Sequence, residues 1–292
     1  MVKRSKKDDK TVEDILNTKY AAESIIRSAK QGALNTEITG WLDTENADLN
    51  SVLGHPEKGL PLGRFIEISG GESHGKTALL YYLLGKVQQA GGTAILFDND
   101  GSYDREWAEK LGIDHDKLVF LQLGTKTIKK ENKEIEQKEA MEDLFKKIGS
   151  LIEESKKEPD TPVLFGWDDI TGTLTRKEID SEEYASDKIA VAAKVLSQGI
   201  CKLHSELKGT KFSIICINQL RTKIAIGFGF TTEQTTGGKA LRYYAAVRAK
   251  ISRTSSKPTH ISCQIKCEKN KIARPFKIAK LIINFDKGIV LK

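Results

Sequence analysis

Short apolar runs and longer helix-like segments alternate through the middle of the chain. Runs typical of buried β-strands lie at residues 64–68, 93–97, 117–122, 162–167 and 211–217. Segments with the composition or spacing of helices lie between them, at residues 78–90, 104–111, 134–157 and 187–207. This alternation predicts an α/β fold with a mainly parallel, twisted sheet that is flanked by helices. From residue 244 to residue 290 the pattern changes to short consecutive β runs.

The N-terminal residues do not share this pattern. The first ten are mostly charged and predict a disordered tail. Thr11 then opens a capping-box sequence, apolar residues at helical spacing run from Ile15 to Lys30, and irregular sequence follows from Gln31 to Leu62. An amphipathic helix outside the core must bury its apolar face on its own domain or on a neighbouring subunit. We therefore predict three parts, a tail, a helix with a linker for subunit docking, and a large core, at residues 1–10, 11–58 and 59–292.

The net charge of +7 conceals an asymmetry. From Lys211 to Lys292 the chain holds 17 Lys and Arg residues against three acids, a balance of +14, whereas the other residues balance at −7. A positive field in the C-terminal third suits a polyanionic partner, and a solvated basic face is the alternative. No apolar run approaches the roughly 20 residues that span a bilayer, and no secretion signal follows the charged N-terminus. We therefore expect a cytoplasmic protein without membrane contact.

The four cysteines do not form a recognisable metal or disulfide pattern. Cys263 and Cys267 are separated by three residues in a predicted strand, and neither a His pair nor a second Cys pair completes a zinc site. We interpret them, with Cys201 and Cys216, as reduced and buried thiols of a cytosolic protein.

The most specific motif is Gly-Gly-Glu-Ser-His-Gly-Lys-Thr at residues 70–77, which matches the phosphate-binding P-loop G-x-x-x-x-G-K-[ST]. It follows a predicted strand and precedes a predicted helix, so the N-terminus of that helix points at the phosphates. Gly70 and Gly75 allow the tight backbone, Lys76 reaches the β and γ phosphates, and the Thr77 hydroxyl ligates Mg²⁺. The motif predicts ATP binding by Gly70, Gly71, Glu72, Ser73, His74, Gly75, Lys76 and Thr77.

Further carboxylates follow two of the predicted strands. An apolar run ends on Asp168, which makes this residue our choice for the second Mg²⁺ ligand, while Asp169 either competes with it or begins the next turn. Asp98 and Asp100 follow another strand, at the end of the sheet where α/β proteins bind ligands. One of these two is a candidate base for the attacking water, and capping of the next helix is the alternative.

The fifth predicted strand ends in Asn218-Gln219, and a Gln at that edge can sense the γ-phosphate. The residues that follow, Leu220 to Gly238, contain Arg221, Lys223, four glycines and two phenylalanines but one acid. A loop of this length in a compact domain is usually functional or disordered. Basic residues and glycines suit single-stranded nucleic acid, and a surface loop without a ligand is the alternative.

Seven blocks of sequence, taken in order, resemble the RecA family of strand-exchange recombinases. They are Gly-Leu-Pro-Leu-Gly-Arg (59–64), the P-loop, Ala-Gly-Gly-Thr-Ala (90–94), Ala-Glu-Lys-Leu-Gly-Ile-Asp (108–114), Ile-Asn-Gln-Leu-Arg-Thr-Lys-Ile (217–224), Thr-Thr-Gly-Gly-Lys-Ala-Leu-Arg-Tyr-Tyr-Ala (235–245) and Lys-Asn-Lys-Ile-Ala-Arg-Pro-Phe-Lys (269–277). The last three are specific to recombinases rather than general to P-loop proteins. Gly-Trp-Leu-Asp-Thr (40–44) and the short chain resemble phage-encoded members, which lack the C-terminal domain of cellular ones.

The resemblance implies a RecA-like ATPase core and assigns roles to single residues near ATP. Asp100 falls where the family's catalytic glutamate lies, and Asp104 and Trp107 fall where an aspartate and an aromatic ring bind adenine. Gln219 matches the γ-phosphate sensor. Lys269 and Lys271 match a lysine pair that reaches the ATP of the adjacent subunit in a helical filament.

The resemblance also places two DNA-binding loops, the first at about residues 177–187 and the second at Leu220–Gly238. It implies DNA contacts by Lys194, Arg221, Lys223, Gly237, Gly238 and Lys239. The N-terminal helix matches the segment that docks on a neighbouring subunit.

The sequence therefore predicts an ATP-dependent recombinase that polymerises on single-stranded DNA and pairs it with double-stranded DNA. A RecA-like hexameric helicase and an ATP-binding recombination mediator are the alternatives. Three positions depart from the family pattern. Asp100 is one methylene shorter than glutamate, Cys201 replaces a common DNA-contacting arginine, and Gly166 interrupts the apolar run before Asp168.

Overall fold

The computed structural model describes residues 37–130, 133–181, 188–224, 231–235 and 240–291. These ranges contain the following strands and helices, joined by turns and loops. The strands are β1 (Trp41–Leu42), β2 (Leu60–Pro61), β3 (Phe65–Gly70), β4 (Thr93–Asp98), β5 (Leu118–Phe120), β6 (Thr125–Lys130), β7 (Lys133–Lys138), β8 (Val163–Asp168), β9 (Phe212–Ile224), β10 (Thr231–Thr235), β11 (Val247–Lys257), β12 (His260–Asn270), β13 (Ile278–Asn284) and β14 (Gly288–Leu291). The helices are α1 (Ala47–Leu53), α2 (Lys76–Gln89), α3 (Arg105–Lys110), α4 (Met141–Ser155), α5 (Arg176–Ile179), α6 (Lys188–Glu206) and α7 (Ala240–Tyr244).

One large sheet organises these elements. Its strand order is β14-β13-β12-β11-β3-β9-β8-β4-β5, and β10 pairs with the extension of β9. The neighbouring strands from β11 to β5 run parallel to one another, whereas β11 to β14 form an antiparallel meander. The parallel strands place the carboxyl ends of β3, β4, β8 and β9 at one edge, where ligands bind in α/β folds.

Helices cover both faces of the parallel strands, as the predicted fold class requires. On one face α2 packs on alternate residues of β3, β4 and β9 and α1 packs on β11 to β13, while on the other face α4 and α6 pack on the intervening residues of β3, β4 and β9. Phe65 and Ile66 show this alternation, because these neighbours in β3 belong to opposite apolar layers. Each fully buried Leu or Ile stabilises the fold by about 1.5–3 kcal/mol relative to exposure.

The predictions for the five parallel strands and for the helices α2, α3 and α6 are confirmed. Most ends shift by one or two residues, but β9 continues to Ile224, seven residues past its predicted end. The β runs predicted from residue 244 onwards are confirmed as β11 to β14. The helix predicted ahead of the core lies outside the described residues. No helix within the described ranges is both long and apolar enough to cross a membrane.

The prediction of one helix from residue 134 to residue 157 was wrong in its first part. Residues 133–138 form β7, which pairs with β6 so that Ile128 lies opposite Ile135 and Lys129 opposite Glu134. The helix α4 begins only at Met141, where the side chain of Asp143 accepts a hydrogen bond from the backbone N–H of Ala140. The many Glu, Lys and Gln residues favour a helix locally, and the pairing with β6 overrides that preference.

The prediction of irregular sequence from Gln31 to Leu62 was wrong for its second half. Asn46 caps α1 by accepting a hydrogen bond from the N–H of Leu49, and the apolar side of this short helix is fully buried. The compact unit that contains the core begins at Ile38, so the boundary predicted after residue 58 lies inside it.

Three of the four cysteines are buried, as predicted, but Cys201 on α6 is exposed. All four are free thiols. Cys201 lies on the polar side of an amphipathic helix whose buried side is formed by Leu196, Ile200 and Leu203.

Candidate nucleotide-binding site

The P-loop joins the end of β3 to the start of α2 at the carboxyl edge of the sheet. Gly75 has a left-handed backbone with φ of 88° and caps the N-terminus of α2. A Cβ atom at Gly75 would lie 2.2 Å from Cδ1 of Ile283, so both the backbone and the packing require glycine. The predicted phosphate-binding residues therefore form one continuous turn that opens on a helix N-terminus.

Lys76 is the cation of this turn. Its Nζ donates a hydrogen bond to the carbonyl oxygen of Gly71 at 2.7 Å. Burial lowers the pKa of Lys76, and the carboxylates of Asp168, Asp169 and Glu72 oppose this shift. A partly desolvated ammonium group interacts strongly with an anion, as a triphosphate site requires.

The side chains of Thr77 and Asp168, the two predicted Mg²⁺ ligands, are in contact. The Thr77 hydroxyl donates to Oδ2 of Asp168 at 2.6 Å. Burial raises the pKa of Asp168 to about 6, helped by Asp169, Asp98 and Asp100 and opposed by the hydrogen bond from Thr77. A hydroxyl and a buried carboxylate are ligands that suit Mg²⁺, which in nucleotide sites takes its remaining ligands from water and phosphate.

No three His, Cys, Asp or Glu side chains in the described ranges are arranged to enclose a metal ion by themselves. A Mg²⁺ ion at Thr77 and Asp168 would take its other ligands from water and phosphate oxygens.

Asp98 and Asp100 have different surroundings after β4. Oδ2 of Asp98 accepts a hydrogen bond from the N–H of Tyr103 at 2.8 Å, which holds the turn before α3. Asp100 is largely exposed, and the desolvation of its less exposed part, together with the charges of Asp169 and Asp98, raises its pKa. The geometry favours Asp100 over Asp98 as the candidate base, because Asp98 holds the turn before α3 while Asp100 is exposed at the end of the strand.

The residues predicted to bind adenine lie on α3. Asp104 caps this helix by accepting a hydrogen bond from the N–H of Trp107 at 2.9 Å. Trp107 lines a cleft of about 500 Å³ together with the P-loop. The cleft is completed by residues that the sequence did not suggest, Arg253, Ser256, Ile261, Ile283 and Phe285. These residues come from the antiparallel strands or the loop after β13, far from the P-loop in sequence, and no local signal marks them.

Gln219 lies at the carboxyl end of the parallel part of β9. Its Nε2 donates a hydrogen bond to Oδ2 of Asp169 at 2.5 Å. The other oxygen of Asp169 accepts from the N–H of Gly172, so this residue also begins the next turn. Asp169 therefore links the sensor position to the strand end that carries Asp168, a role that the sequence analysis left open.

Lys269 and Lys271 lie together at the end of β12. The Nζ of Lys269 donates to the carbonyl oxygens of Arg242 at 2.6 Å and Tyr243 at 3.1 Å, and the Nζ of Lys271 donates to that of Tyr243 at 2.7 Å. Both ammonium groups thus bind the C-terminal end of α7 within the same chain, where the helix dipole favours cations. Burial, with the charges of Lys271 and Arg248, lowers the pKa of Lys269 to about 8.

The structure describes some of the predicted DNA-binding residues and not others. Lys194 is exposed on α6. The backbone of Arg221 and Lys223 belongs to β9, where these residues pair with Gln234 and Thr232 of β10. The segment Leu220–Gly238 is therefore built on a hairpin where we predicted an irregular loop, because β9 continues past Gln219. Gly237, Gly238 and Lys239 lie outside the described residues, as do residues 182–187 of the other predicted loop.

Comparison with known proteins agrees with this arrangement. The family model of the RecA N-terminal domain matches residues 8–290. The chain belongs to the RecA family. It is 36% identical over 236 residues to Protein RecA of Enterococcus faecalis, covering 79% of this chain and 62% of that protein. It is 32% identical over 279 residues to Protein RecA of Salinispora arenicola, covering 94% of this chain and 72% of that protein.

The chain spans about 60% of the length of several RecA proteins that it matches, including 59% of the one from Clavibacter michiganensis.

The departure from the RecA pattern at Gly166 has a packing reason. A Cβ atom at this position of β8 would lie 2.9 Å from Cδ1 of Leu80 in α2. Glycine therefore lets the P-loop helix pack closely on the strand that carries Asp168.

Proposed function

We propose that this member of the RecA family is an ATP-dependent recombinase. It polymerises on single-stranded DNA and catalyses homologous pairing and strand exchange in recombination and repair. The observation that carries the proposal is the contact between Gln219 and Asp169. This contact connects the strand end beside Thr77 and Asp168 to the hairpin that begins directly after Gln219. The nucleotide site and the candidate DNA-binding segment are thus neighbours in the structure.

The reaction that suits this site is DNA-dependent hydrolysis of ATP to ADP and phosphate. Lys76 and the N–H groups of the P-loop bind the β and γ phosphates, and Thr77 and Asp168 would hold Mg²⁺, which neutralises phosphate charge. Asp100 accepts a proton from the attacking water, and Gln219 contacts the γ-phosphate. Trp107 packs on adenine at the wall of the cleft, and Asp104 fixes the helix that presents this ring.

Single-stranded and double-stranded DNA are the proposed partners. The balance of +14 over Lys211–Lys292 supports a polyanionic ligand for this part of the chain. Arg221, Lys223 and Lys239 would contact phosphates, with Gly237 and Gly238 allowing close approach of the backbone. Lys194, which is exposed on α6, is a further proposed DNA contact.

Self-association into a helical filament completes the proposal. The segment from residue 11 towards the core would dock on a neighbouring subunit. Lys269 and Lys271 would leave the carbonyl groups of α7 and reach the triphosphate of that neighbour, where negative charge accumulates during phosphoryl transfer. Hydrolysis would then depend on assembly, and DNA would stimulate it by ordering the filament.

Electron microscopy on single-stranded DNA with ATP, combined with an ATPase assay, tests the proposal. We expect open helical filaments and hydrolysis that rises when DNA is added. Closed rings would favour the helicase alternative. Filaments without hydrolysis would favour a mediator that uses ATP as a structural ligand.

A further inference from the structure

A buried charged cluster lies behind the P-loop, apart from the residues that face the nucleotide. Its centre is Glu67 of β3, which is 1% exposed. Oε1 of Glu67 accepts a hydrogen bond from Nδ2 of Asn218 at 2.9 Å, and Oε2 accepts one from Nε of Arg248. Nη2 of Arg248 also lies 3.7 Å from Oε2 of Glu268. We name these four residues the Glu67 cluster.

The Glu67 cluster crosses the centre of the sheet. Its members come from β9, β3, β11 and β12, which are consecutive strands in the sheet. Two of them directly precede a proposed functional residue in sequence, Asn218 before Gln219 and Glu268 before Lys269. The cluster therefore connects the sensor strand, the P-loop strand and the strand that carries the lysine pair.

The backbone pairing reinforces these connections. Gly70, the first P-loop residue, lies opposite Gln219 in the pairing of β3 with β9. Arg248 lies opposite Lys269 in the pairing of β11 with β12, and opposite Glu67 in the pairing with β3. A shift of Arg248 would consequently displace Lys269, its pairing partner in β12. It would also displace β3, whose residue Gly70 pairs with Gln219.

Stability alone does not explain a cluster of this kind. Burying two charges costs several kcal/mol for each ion, and replacing a buried ion pair by apolar residues of similar volume is often neutral or stabilising. Charge-assisted hydrogen bonds, in contrast, are short and directional, and they fix the relative positions of the groups that they join. Asn218 is fully buried and Arg248 nearly so, which makes these bonds strong.

We propose that Glu67 and Arg248 are positioning residues that hold the Gln219 end of β9 and the Lys269 end of β12 in a fixed relation to the P-loop. Binding of a triphosphate is then transmitted to both strand ends together. The inference rests on the proposed function, because it explains how one nucleotide couples DNA affinity to subunit contact.

The test compares stability with coupling in two variants. Glu67→Gln leaves the guanidinium group of Arg248 without its main counter-charge, so we expect loss of stability and of coupling. Glu67→Gln/Arg248→Met removes the unpaired charge, so stability should recover while the link between the strands stays broken. Coupling is measured as the ratio of affinities for an oligo-dT strand with and without a non-hydrolysable ATP analogue, and stability by urea unfolding.

Asn50→Leu is the matched control. Asn50 is a buried polar residue on α1 whose side chain bonds to Thr44 and Asp43, which are outside the Glu67 cluster. This variant should lose stability and keep the wild-type affinity ratio. In the double variant we expect the ratio, which for coupled sites is about 5- to 150-fold, to fall towards one.

Different outcomes would overturn the positioning role of the Glu67 cluster and the proposed function of the protein. A wild-type ratio in the folded double variant would overturn the positioning role, and so would a ratio that recovers in step with stability. If the DNA affinity of the wild-type protein were the same with and without the nucleotide, the proposed function itself would be overturned.

Discussion

The side-chain amide of Gln219 lies 2.5 Å from the carboxylate of Asp169, the residue that follows the Thr77 partner Asp168. Two neighbouring strand ends, β8 and β9, are therefore joined beside the P-loop. A γ-phosphate that competes for Gln219 would break this bond and release the strand that continues into the hairpin with β10. The proposed coupling between ATP and DNA binding would then depend on one hydrogen bond, which Gln219 makes to Asp169 without the γ-phosphate and gives up when the γ-phosphate binds.

Gln219→Ala should separate ATP binding from DNA binding. We expect nearly wild-type ATP affinity, because the P-loop is intact, together with a loss of most of the nucleotide-induced rise in DNA affinity, which for coupled sites is about 5- to 150-fold. Fluorescence anisotropy with an oligo-dT strand measures both states. Gln89→Ala, at an exposed position on α2, is the control, and an unchanged ratio in Gln219→Ala would contradict the sensor assignment.

Lys76→Ala should abolish ATP binding, because it removes the cation that faces the β and γ phosphates. DNA affinity should then no longer respond to ATP. Isothermal titration calorimetry measures the binding. Lys86→Ala on the same helix, which pairs with Glu45 instead, should bind ATP normally. Normal ATP binding by the Lys76 variant would show that the P-loop assignment is wrong.

Arg221→Ala and Lys223→Ala should each weaken binding to single-stranded DNA. Each lost phosphate contact should also lower the slope of log affinity against log salt by about 0.7. No change in sequence preference is expected, because these residues would contact the backbone of the DNA. Lys146→Ala, an exposed lysine on α4, controls for net charge. If both variants kept the wild-type salt slope, the DNA site would lie elsewhere.

Lys269 and Lys271 should act on the ATP of a neighbouring subunit. Lys269→Ala/Lys271→Ala chains and Lys76→Ala chains should each be inactive alone. A mixture should recover part of the DNA-stimulated ATPase, because some interfaces then combine an intact lysine pair with an intact P-loop. Full activity of the double lysine variant alone, or no recovery in mixtures shown to co-assemble, would exclude this assignment.

The lowered pKa of Lys269 predicts a loss of assembly at alkaline pH. The group is a cation below about 8 and loses its proton as the pH rises through that value. Lys271, Arg248 and Glu67 also act on this charge, and His204 faces it from α6. DNA-stimulated hydrolysis should therefore fall above pH 8, and Lys269→Arg, which keeps its charge, should extend activity to higher pH. An identical pH profile in both proteins would contradict the role of this charge.

The local parts of the fold and site were predictable from the sequence. The P-loop at residues 70–77, the strand that ends at Asp168 and the sensor strand all have short, strong sequence patterns, and their common orientation follows from the parallel sheet. The hairpin of β6 and β7 was missed, because the Glu, Lys and Gln residues of β7 favour a helix locally, whereas the pairing that places Lys129 opposite Glu134 joins two separate segments.

Long-range side-chain contacts were beyond the sequence patterns. Glu67 and Arg248 are 181 positions apart, and each is unremarkable in its own strand. Their meeting depends on β11 lying next to β3, which no local pattern specifies. The same reason applies to Arg253 and Phe285, which reach the cleft from the antiparallel strands and their loops.

The most direct test of the account is a strand-exchange assay between a single strand and a homologous duplex, run with ATP, with a non-hydrolysable analogue and without nucleotide. We predict joint molecules with either nucleotide and none in its absence, because binding of the triphosphate orders the filament. We also predict no products with Lys76→Ala. Joint molecules formed equally well without nucleotide, or none formed by wild-type protein that coats the single strand in the presence of ATP, would contradict the central claim.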